Sequence, residues 1–137
     1  MIKKIVLAID ASEYSTRAVE VATDLAEKLD AEVVVFHVEE KAVGHGGAYT
    51  MESDEEAHEL VENVTRQLKD AGRSARGVIR PALHGHTAHA IVEMTDAEGA
   101  DLIVLGTRGL SDLAGIMVGS VTHKLLQVTH TPVLVAR

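Results

Sequence analysis

Short runs of apolar residues recur along the chain, and segments with a helical period separate them. The three clearest runs cover residues 5–9, 33–36 and 102–105, and β-branched residues are frequent in them. Strands that are covered by helices on both faces of a parallel sheet have this composition. Two weaker candidates cover residues 77–83 and 133–136, the second directly after Pro132. The pattern therefore predicts five strands.

Between these runs the apolar residues follow a helical period. In the first such segment they share one stripe, formed by Ala18, Val21, Ala22, Leu25 and Leu29. A second helix is predicted to begin at the capping-box pattern of residues 53–56 and to end at Gly72. Weaker signals predict a third helix at about 87–98, before Gly99, and a fourth from Ser120 to about Thr129.

A strand followed by a helix four times, with a fifth strand at the end, predicts an α/β fold. Right-handed crossovers then place two helices on each face of the sheet. We expect residues 1–137 to form one domain with a doubly wound, five-stranded parallel sheet in the order 3-2-1-4-5, Rossmann-like and adenine nucleotide alpha hydrolase-like. The longest irregular segment is predicted at residues 39–51, where Gly-rich sequence around His45 favours a mobile lid.

Composition excludes several classes of function. The 137 residues include no cysteine, so disulfides, a thiol nucleophile and cysteine metal sites are excluded. The three aromatic residues are too few for a base-stacking platform, and the net charge of -8 disfavours nucleic acid as a partner. The first apolar run is too short for a signal peptide, and none approaches the roughly 18 residues of a membrane span. We expect a cytoplasmic protein.

Glycines flank the end of the predicted fourth strand and the start of the last helix. They follow the spacing G-x2-G-x9-G-S, with Gly106, Gly109 and Gly119 as the three glycines and Ser120 after them. Glycine lets a backbone approach a ligand closely, and bare amides at a helix N-terminus bind phosphate. The helix dipole contributes about half a positive charge there, and Arg108 would add a full one. An acidic protein could thus hold a polyanion without a lysine cluster.

With these residues the sequence resembles the universal stress protein family, in the branch that binds ATP through G-x2-G-x9-G-(S/T). The resemblance covers the whole chain, and its main segments are residues 4–12, 36–38, 100–106 and 131–136. It implies that Ala8, Ile9 and Asp10 border adenine and ribose and that the backbone of Val38 pairs with the adenine edge. The remaining nucleotide-binding residues that it implies are Leu105, Gly106, Arg108, Gly109, Gly119, Ser120, Val121 and Thr122.

The resemblance also implies ATP as the ligand, with Mg²⁺ bound to its phosphates near Asp10. Dimers are usual in the family, and the last predicted strand would lie at a sheet edge that a second copy could cover. The expected homodimer contact is Val133, Leu134, Val135 and Ala136. The chain departs from the family before the third helix, where residues 85–87 replace a common Gly-Asp/Asn-Pro stretch, which leaves only the helix entry in doubt.

Several of these residues have a second interpretation. Ala8, Ile9, Val38 and Val121 suit an ordinary core equally well. Asp10 could cap the first helix, a role that Ser12 would fill as well. The histidines at 84, 86 and 89 are close enough in sequence for a metal site, but zinc needs fixed geometry and usually a fourth ligand. We therefore expect them to be solvated, and we predict no metal site made by the protein.

We expect an ATP-binding regulatory or stress-response protein rather than an enzyme. The sequence has no Walker motif, no pyrophosphatase loop after the first strand and no evident pair of nucleophile and base. Nucleotide is expected to order residues 39–51 and 110–118 and so change a surface that an unknown partner senses. Two alternatives stay open: a stress adaptor that binds AMP, a cyclic nucleotide or no nucleotide, and a slow ATPase.

Overall fold

The computed structural model describes residues 1–12, 14–50, 52–107 and 119–137. Helices and strands alternate along the chain, with one short strand inserted after the second. In chain order the elements are β1 (Lys4–Ile9), α1 (Tyr14–Leu29), β2 (Glu32–Gly44), β3 (Gly47–Thr50), α2 (Asp54–Asp70), β4 (Ala75–Leu83), α3 (Thr87–Glu98), β5 (Leu102–Gly106), α4 (Ser120–Val128) and β6 (Val133–Ala136).

Five strands form the predicted parallel sheet. β1 lies at its centre, paired with β2 on one side and with β5 on the other. β4 pairs with the outer side of β2, and β6 pairs with β5. The resulting order is β4-β2-β1-β5-β6, which is 3-2-1-4-5 when the parallel strands are counted alone. The doubly wound topology predicted from the sequence is confirmed.

Two helices cover each face of the sheet, as expected. α1 and α2 pack on the side chains of Leu7 and Val35, among others, and α3 and α4 pack on those of Val6 and Phe36. These core side chains are at most 1% exposed, because alternate residues of a strand point to opposite faces and each face has its own helix layer. Among the described residues, no helix combines the length and the apolar character needed to cross a membrane.

The ends of α2 and α3 follow their sequence signals. The Ser53 side chain accepts a hydrogen bond from the Glu56 amide, and the Glu56 carboxylate accepts one from the Ser53 amide, which completes the predicted capping box. α3 ends at Gly99, whose φ of 61° lies in the left-handed region that glycine adopts without a steric penalty. Both helices therefore begin and end close to where local sequence predicts.

The predicted irregular segment at 39–51 is wrong. β2 continues to Gly44, and β3 returns antiparallel to it with Gly44 opposite Gly47, so that His45 and Gly46 form a two-residue turn. Gly47 has a φ of 103°, which a β-branched residue would not tolerate. The extension escaped detection because its residues are largely polar and none of residues 40–44 is fully buried. His45 is an exposed turn residue of a hairpin.

Gly77 is where α2 approaches the sheet most closely. A Cβ atom at this position would lie 2.3 Å from Cγ1 of the buried Val61 and 3.1 Å from Oγ1 of Thr65. Both neighbours belong to a helix with a buried stripe, so they have little room to move. Close packing of α2 on β4 thus requires glycine in the strand.

We expect Gly77→Ala to lower the free energy of unfolding by about 1–3 kcal/mol, because the added methyl group overpacks the contact with Val61. Urea denaturation monitored by circular dichroism measures this change. Gly46→Ala is the matched control, since nothing lies within 4 Å of a Cβ there, and it should change stability by less than about 0.5 kcal/mol. Adding Val61→Ala to Gly77→Ala should cost less than the sum of the two single changes. Additive losses would contradict the clash.

Candidate functional site

A cleft of about 440 Å³ opens at the carboxyl ends of the parallel strands. It lies where the strand order reverses, between the residues that follow β1 and those that follow β5, which is the usual ligand position in open α/β sheets. Its volume falls within the range of small-molecule pockets. The described lining residues are Ala8, Ile9, Asp10, Ala11, Ser12, Ser15, Phe36, His37, Val38, Glu40, Glu52, His84, Thr87, Ile91, Leu105, Gly106, Gly119, Val121 and Thr122.

The middle of the cleft is apolar. Phe36 and Val38 of β2 and Leu105 of β5 contribute strand side chains, and Ile91 of α3 closes the same space. All four side chains are at least nine-tenths buried, so their positions are held by the core. A flat, largely apolar part of a ligand could be buried against this surface at little cost in free energy, because the four side chains are already held in place by the core.

Among the described residues, glycines and small side chains line the end of the cleft beside α4. Gly119 is the N-cap of that helix, and glycine has no side chain with which to cap the first turn. The amides of the first helical turn have no partner within a helix, so they and the helix dipole favour an anion at this point. Gly106 and the buried Thr122 line the same end. This part of the cleft can hold a negatively charged group without a cationic side chain.

The turn between β1 and α1 forms the floor of the cleft. Oδ1 of Asp10 accepts hydrogen bonds from the Ser12 amide at 2.8 Å, from the Ser15 hydroxyl at 3.1 Å and from the Ser12 hydroxyl. The Asp10 amide in turn donates to Oγ of Ser15 at 2.9 Å. Asp10 therefore shapes the turn into α1, which is close to the capping role that its residue type allowed, and it lines the cleft at the same time.

Acidic side chains mark the opposite end of the cleft. The Glu40 carboxylate accepts a hydrogen bond from the Thr87 hydroxyl at 2.6 Å, and its other oxygen lies 3.1 Å from Nδ1 of His84. These contacts join the end of β2 to the residues that lead into α3. The cleft thus has hydrogen-bond acceptors at one end and bare amide donors at the other.

His37 connects the floor of the cleft with the segment before α2. The imidazole is 4% exposed; its Nδ1 lies 2.9 Å from the Ile9 carbonyl and its Nε2 lies 2.5 Å from a carboxylate oxygen of Glu52. Both ring nitrogens therefore have partners.

Glu39 lies beside the cleft but points to the other face of β2. Burial raises the pKa of its carboxyl group, and the neighbouring carboxylates of Asp54 and Glu52 raise it further, while His37 opposes them. The residue is 9% exposed. Ionised Glu39 is consequently a destabilising element of the fold.

Nine of the twelve residues predicted to bind nucleotide line this one cleft. They are Ala8, Ile9, Asp10, Val38, Leu105, Gly106, Gly119, Val121 and Thr122. Ser120 is exposed at the first position of α4 and does not line the cleft. Arg108, Gly109 and the segment 110–118 lie outside the described residues. The structure thus brings the predicted residues together, and their role in binding nucleotide stays a prediction.

Sequence reasoning missed the acidic end of the cleft. Glu40 and Glu52 flank the hairpin that was predicted to be irregular, and Thr87 and Ile91 belong to α3. The signal available for α3 was its position after a strand that ends beside β2, since side chains at the start of the next helix reach the same edge of the sheet.

The three histidines near α3 are exposed, as expected. His84 contacts Glu40, and the rings of His86 and His89 lie 6.1 Å apart. In the part of the chain that the structure describes, no group of three histidine or acidic side chains is arranged to hold a metal ion.

The fold is that of a doubly wound α/β protein, and the cleft lies at the switch in strand order. The family model described as "Universal stress protein family" matches residues 1–137, so the chain belongs to that family. "Universal stress protein YxiE" of Bacillus subtilis is 32% identical over 151 residues, with 100% of both chains covered.

Solved structures of similar fold include two with bound nucleotides. The universal stress protein from Archaeoglobus fulgidus in complex with dAMP has a TM-score of 0.72, with 23% identity and 100% of both chains covered. A universal stress protein in complex with cAMP has a TM-score of 0.71 and 24% identity, over 99% of this chain and 97% of the other. These likenesses establish the shared fold.

We expect Glu39→Gln to stabilise the protein at about pH 7.5 and to lose this advantage on acidification. The folded state raises the carboxyl pKa above its ordinary value of 4.5, so the folded state binds the proton more tightly than the unfolded chain. Below about pH 4 this group therefore does not affect the free energy of unfolding. That free energy falls as the pH rises through the pKa that the group has in the folded state. Thermal melting at about pH 4 and at about pH 7.5 measures the difference in stability between the variant and the unchanged protein.

The control is Glu59→Gln on the exposed surface of α2, which should change the melting temperature little at either pH. An equal gain for Glu39→Gln at about pH 4 and at about pH 7.5 would show that ionisation of Glu39 does not cause the effect.

Proposed function

We propose that this chain is an ATP-binding regulatory or stress-response protein. The observation that carries the proposal is the N-terminus of α4, whose N-cap Gly119 has no side chain and lines the same cleft as the apolar surface around Val38 and Leu105. A nucleotide has this same division, with a flat base at one end and an anionic phosphate chain at the other. Because the chain as a whole has a net charge of -8, phosphate would need local attraction, which the backbone amides at the start of α4 can provide.

The acidic end of the cleft supports an adenine base. Adenine carries an exocyclic amino group that donates hydrogen bonds, and acceptors lie near this end in the Glu40 carboxylate and the backbone of β2. We therefore place the base toward Val38 and Glu40 and the phosphates toward Gly106 and Gly119. This orientation agrees with the division of roles that the family resemblance implies for Val38 and Gly119.

A monophosphate ligand is the second candidate. Two proteins of the same fold were solved with dAMP and with cAMP, each of which carries one phosphate. Both support an adenine nucleotide in the cleft, and neither distinguishes a monophosphate from ATP in this chain. The choice depends on how many phosphates the region between Gly106 and Gly119 can hold.

Mg²⁺ would enter this site with the phosphates of ATP. Asp10 is the one predicted ligand from the protein, and its Oδ1 atom already accepts three hydrogen bonds from Ser12 and Ser15. The phosphates and water would then supply most of the ligands, as is usual for Mg²⁺. When bound, the ion would offset phosphate charge, while Asp10 would keep the β1–α1 turn in place.

We propose a binding protein rather than a dedicated catalyst. In the cleft, the hydroxyls of Ser12 and Ser15 donate to Asp10 and the hydroxyl of Thr87 donates to Glu40. These hydrogen bonds join neighbouring segments of the fold, and we assign them a structural role rather than the activation of a nucleophile. A slow ATPase is the enzymatic alternative.

We further propose that the protein is cytoplasmic and forms a homodimer through β6. The strand pairs with β5 on one side, and no described strand covers its other side. Val133, Leu134 and Val135 are each half-buried, so a second copy paired at this edge would bury apolar surface as well as backbone groups. The downstream partner is left open by this proposal.

We expect ATP at about a hundred times its dissociation constant to add about 2.7 kcal/mol to stability. For a chain of this size the melting temperature would rise by about 10 °C, which differential scanning fluorimetry measures directly. AMP, cAMP and GTP at equal concentration are the comparison ligands. A rise with AMP or cAMP but none with ATP would favour the monophosphate alternative, and phosphate release from Mg-ATP would favour the slow ATPase.

We expect Gly119→Val to abolish the ATP-dependent rise while the protein stays folded. The backbone at Gly119 has φ -57° and ψ 156°, which any residue can adopt, but the branched side chain would enter the cleft beside the amides of α4. The melting temperature without ligand should fall only slightly, because valine is a poorer N-cap than glycine by about 1 kcal/mol.

Gly46→Val is the control for this variant, since it adds the same side chain in the exposed hairpin turn, where no atom lies within 4 Å. It should keep the full ATP-dependent rise. Retained ATP binding in Gly119→Val would contradict the placement of the phosphates beside α4.

A further inference from the structure

A second concave region lies at the outer edge of the sheet. It has a volume of about 670 Å³, it lies between α2 and β4, and it shares no lining residue with the cleft. We call this region the edge groove; the lining residues that matter here are His58, Arg66, Lys69, Gly77, Ile79 and Arg80. Neither the family resemblance nor the proposed function uses it.

The backbone of β4 is open along this groove. The Ser74 carbonyl accepts a hydrogen bond from the Val33 amide, and the His84 amide donates one to the Lys41 carbonyl, each at 2.9 Å. The register between β2 and β4 is continuous from one end to the other. Alternate residues of a strand direct their backbone groups to opposite sides, so even-numbered residues of β4 face β2 and odd-numbered residues face outward.

The outward backbone positions include those of Gly77 and Ile79, and no described strand pairs with them. Arg80 Nη1 donates to the Ile79 carbonyl at 3.0 Å, which agrees with a carbonyl directed away from the sheet. Pro81 occupies the next outward position, where its lack of an amide hydrogen costs no bond to β2. A short stretch of edge is therefore available for pairing before the proline.

The charge of the groove is opposite to that of the chain. Arg66, Lys69 and Arg80 line it, together with one carboxylate, that of Glu62. None of the three cations forms an ion pair within the described part of the chain, although the whole chain has a net charge of -8. Arg66 and Lys69 lie on the surface of α2 that overhangs the edge, so their charges face the same space as the open backbone.

We propose that the edge groove binds an extended, acidic peptide segment of a partner protein, which adds to β4 as a further strand. The outward backbone of Gly77 and the outward amide of Ile79 would supply main-chain hydrogen bonds, and Arg66 and Lys69 would select acidic side chains. Arg80 would exchange its hydrogen bond to the Ile79 carbonyl for one to a peptide carboxylate. Cations and proline at an edge also discourage pairing between copies of one chain. A groove of this charge attracts an acidic segment while it repels a second basic edge.

The test uses the full-length protein and a fluorescent seven-residue peptide of alternating glutamate and valine, with binding followed by fluorescence anisotropy. Lys69→Glu should weaken binding about five-fold or more, because it places a negative charge in the groove. Lys28→Glu is the matched control: both lysines are exposed residues in the last turn of a helix, and both changes alter net charge equally. Lys28→Glu should change the affinity less than about two-fold.

Amide hydrogen exchange, measured by NMR, tests the pairing itself. Bound peptide should slow exchange at Gly77 and Ile79, whose amides face outward. Exchange at Val78 and Arg80 should change little, since those amides already face β2. A peptide that is N-methylated on the alternate residues facing β4 should lose affinity, whereas one that is methylated on the other residues should keep it.

Three results would overturn the proposal. The first is no binding of the peptide at about 1 mM, which would mean that Arg66, Lys69 and Arg80 serve only to prevent pairing at this edge. The second is an equal loss of affinity in Lys69→Glu and Lys28→Glu, which would mean that the peptide responds to the overall charge of the protein and does not bind at the edge groove. The third is protection of Gly77 and Ile79 by rising protein concentration alone, which would make a second copy of the chain the occupant.

Discussion

The pairing of β1 between β2 and β5 is the constraint on which the cleft depends. At the amino end β1 is tied firmly: Oδ2 of Asp101 accepts hydrogen bonds from the amides of Lys3 and Lys4 at 2.8 and 3.0 Å. At the carboxyl end the register with β5 stops at Ala8, whereas the register with β2 continues to Ile9. After Ala8 the chain is therefore no longer paired with β5 but still pairs with β2, and the cleft opens at this point.

Alternation along β2 gives two adjacent glutamates different environments. Glu40 points to the same side as Val38 and lines the cleft, where Thr87 and His84 contact its carboxylate. Glu39 points to the other face, where burial and the Asp54 carboxylate raise the pKa of its side chain. A shift of the strand by one residue would exchange these positions and place the buried carboxyl in the cleft. The register of β2 thus decides which acid a ligand meets.

Most of the fold could be predicted from sequence because its signals are local. The runs at 5–9 and 102–105 are apolar on both faces, and the capping box at 53–56 and Gly99 mark helix ends within a few residues. The strand β4 was the weak case, since no described strand pairs with its outer side and its residues are largely exposed. The hairpin of β2 and β3 was missed because residues 40–44 are not fully buried and carry no continuous apolar pattern.

The residues of the candidate site could also be predicted only in part from the sequence. Residues that follow β1 and β5 could be predicted, because a strand end and a glycine spacing mark them in the sequence. Glu40, Glu52 and Ile91 could not, because each reaches the cleft through a tertiary arrangement. Glu52 is the clearest example: its contact with His37 joins residues that are 15 positions apart across a hairpin that the sequence did not reveal.

The position of α2 bears on how the two sites relate to each other. The helix begins next to Glu52, which lines the cleft, and its last turn overhangs the edge groove with Lys69. Coupling through a helix needs two discrete positions for it. The capping box at Ser53 and the close contact of Val61 with Gly77 fix one position. The described contacts of α2 therefore provide no second position through which binding in the cleft would change the edge groove.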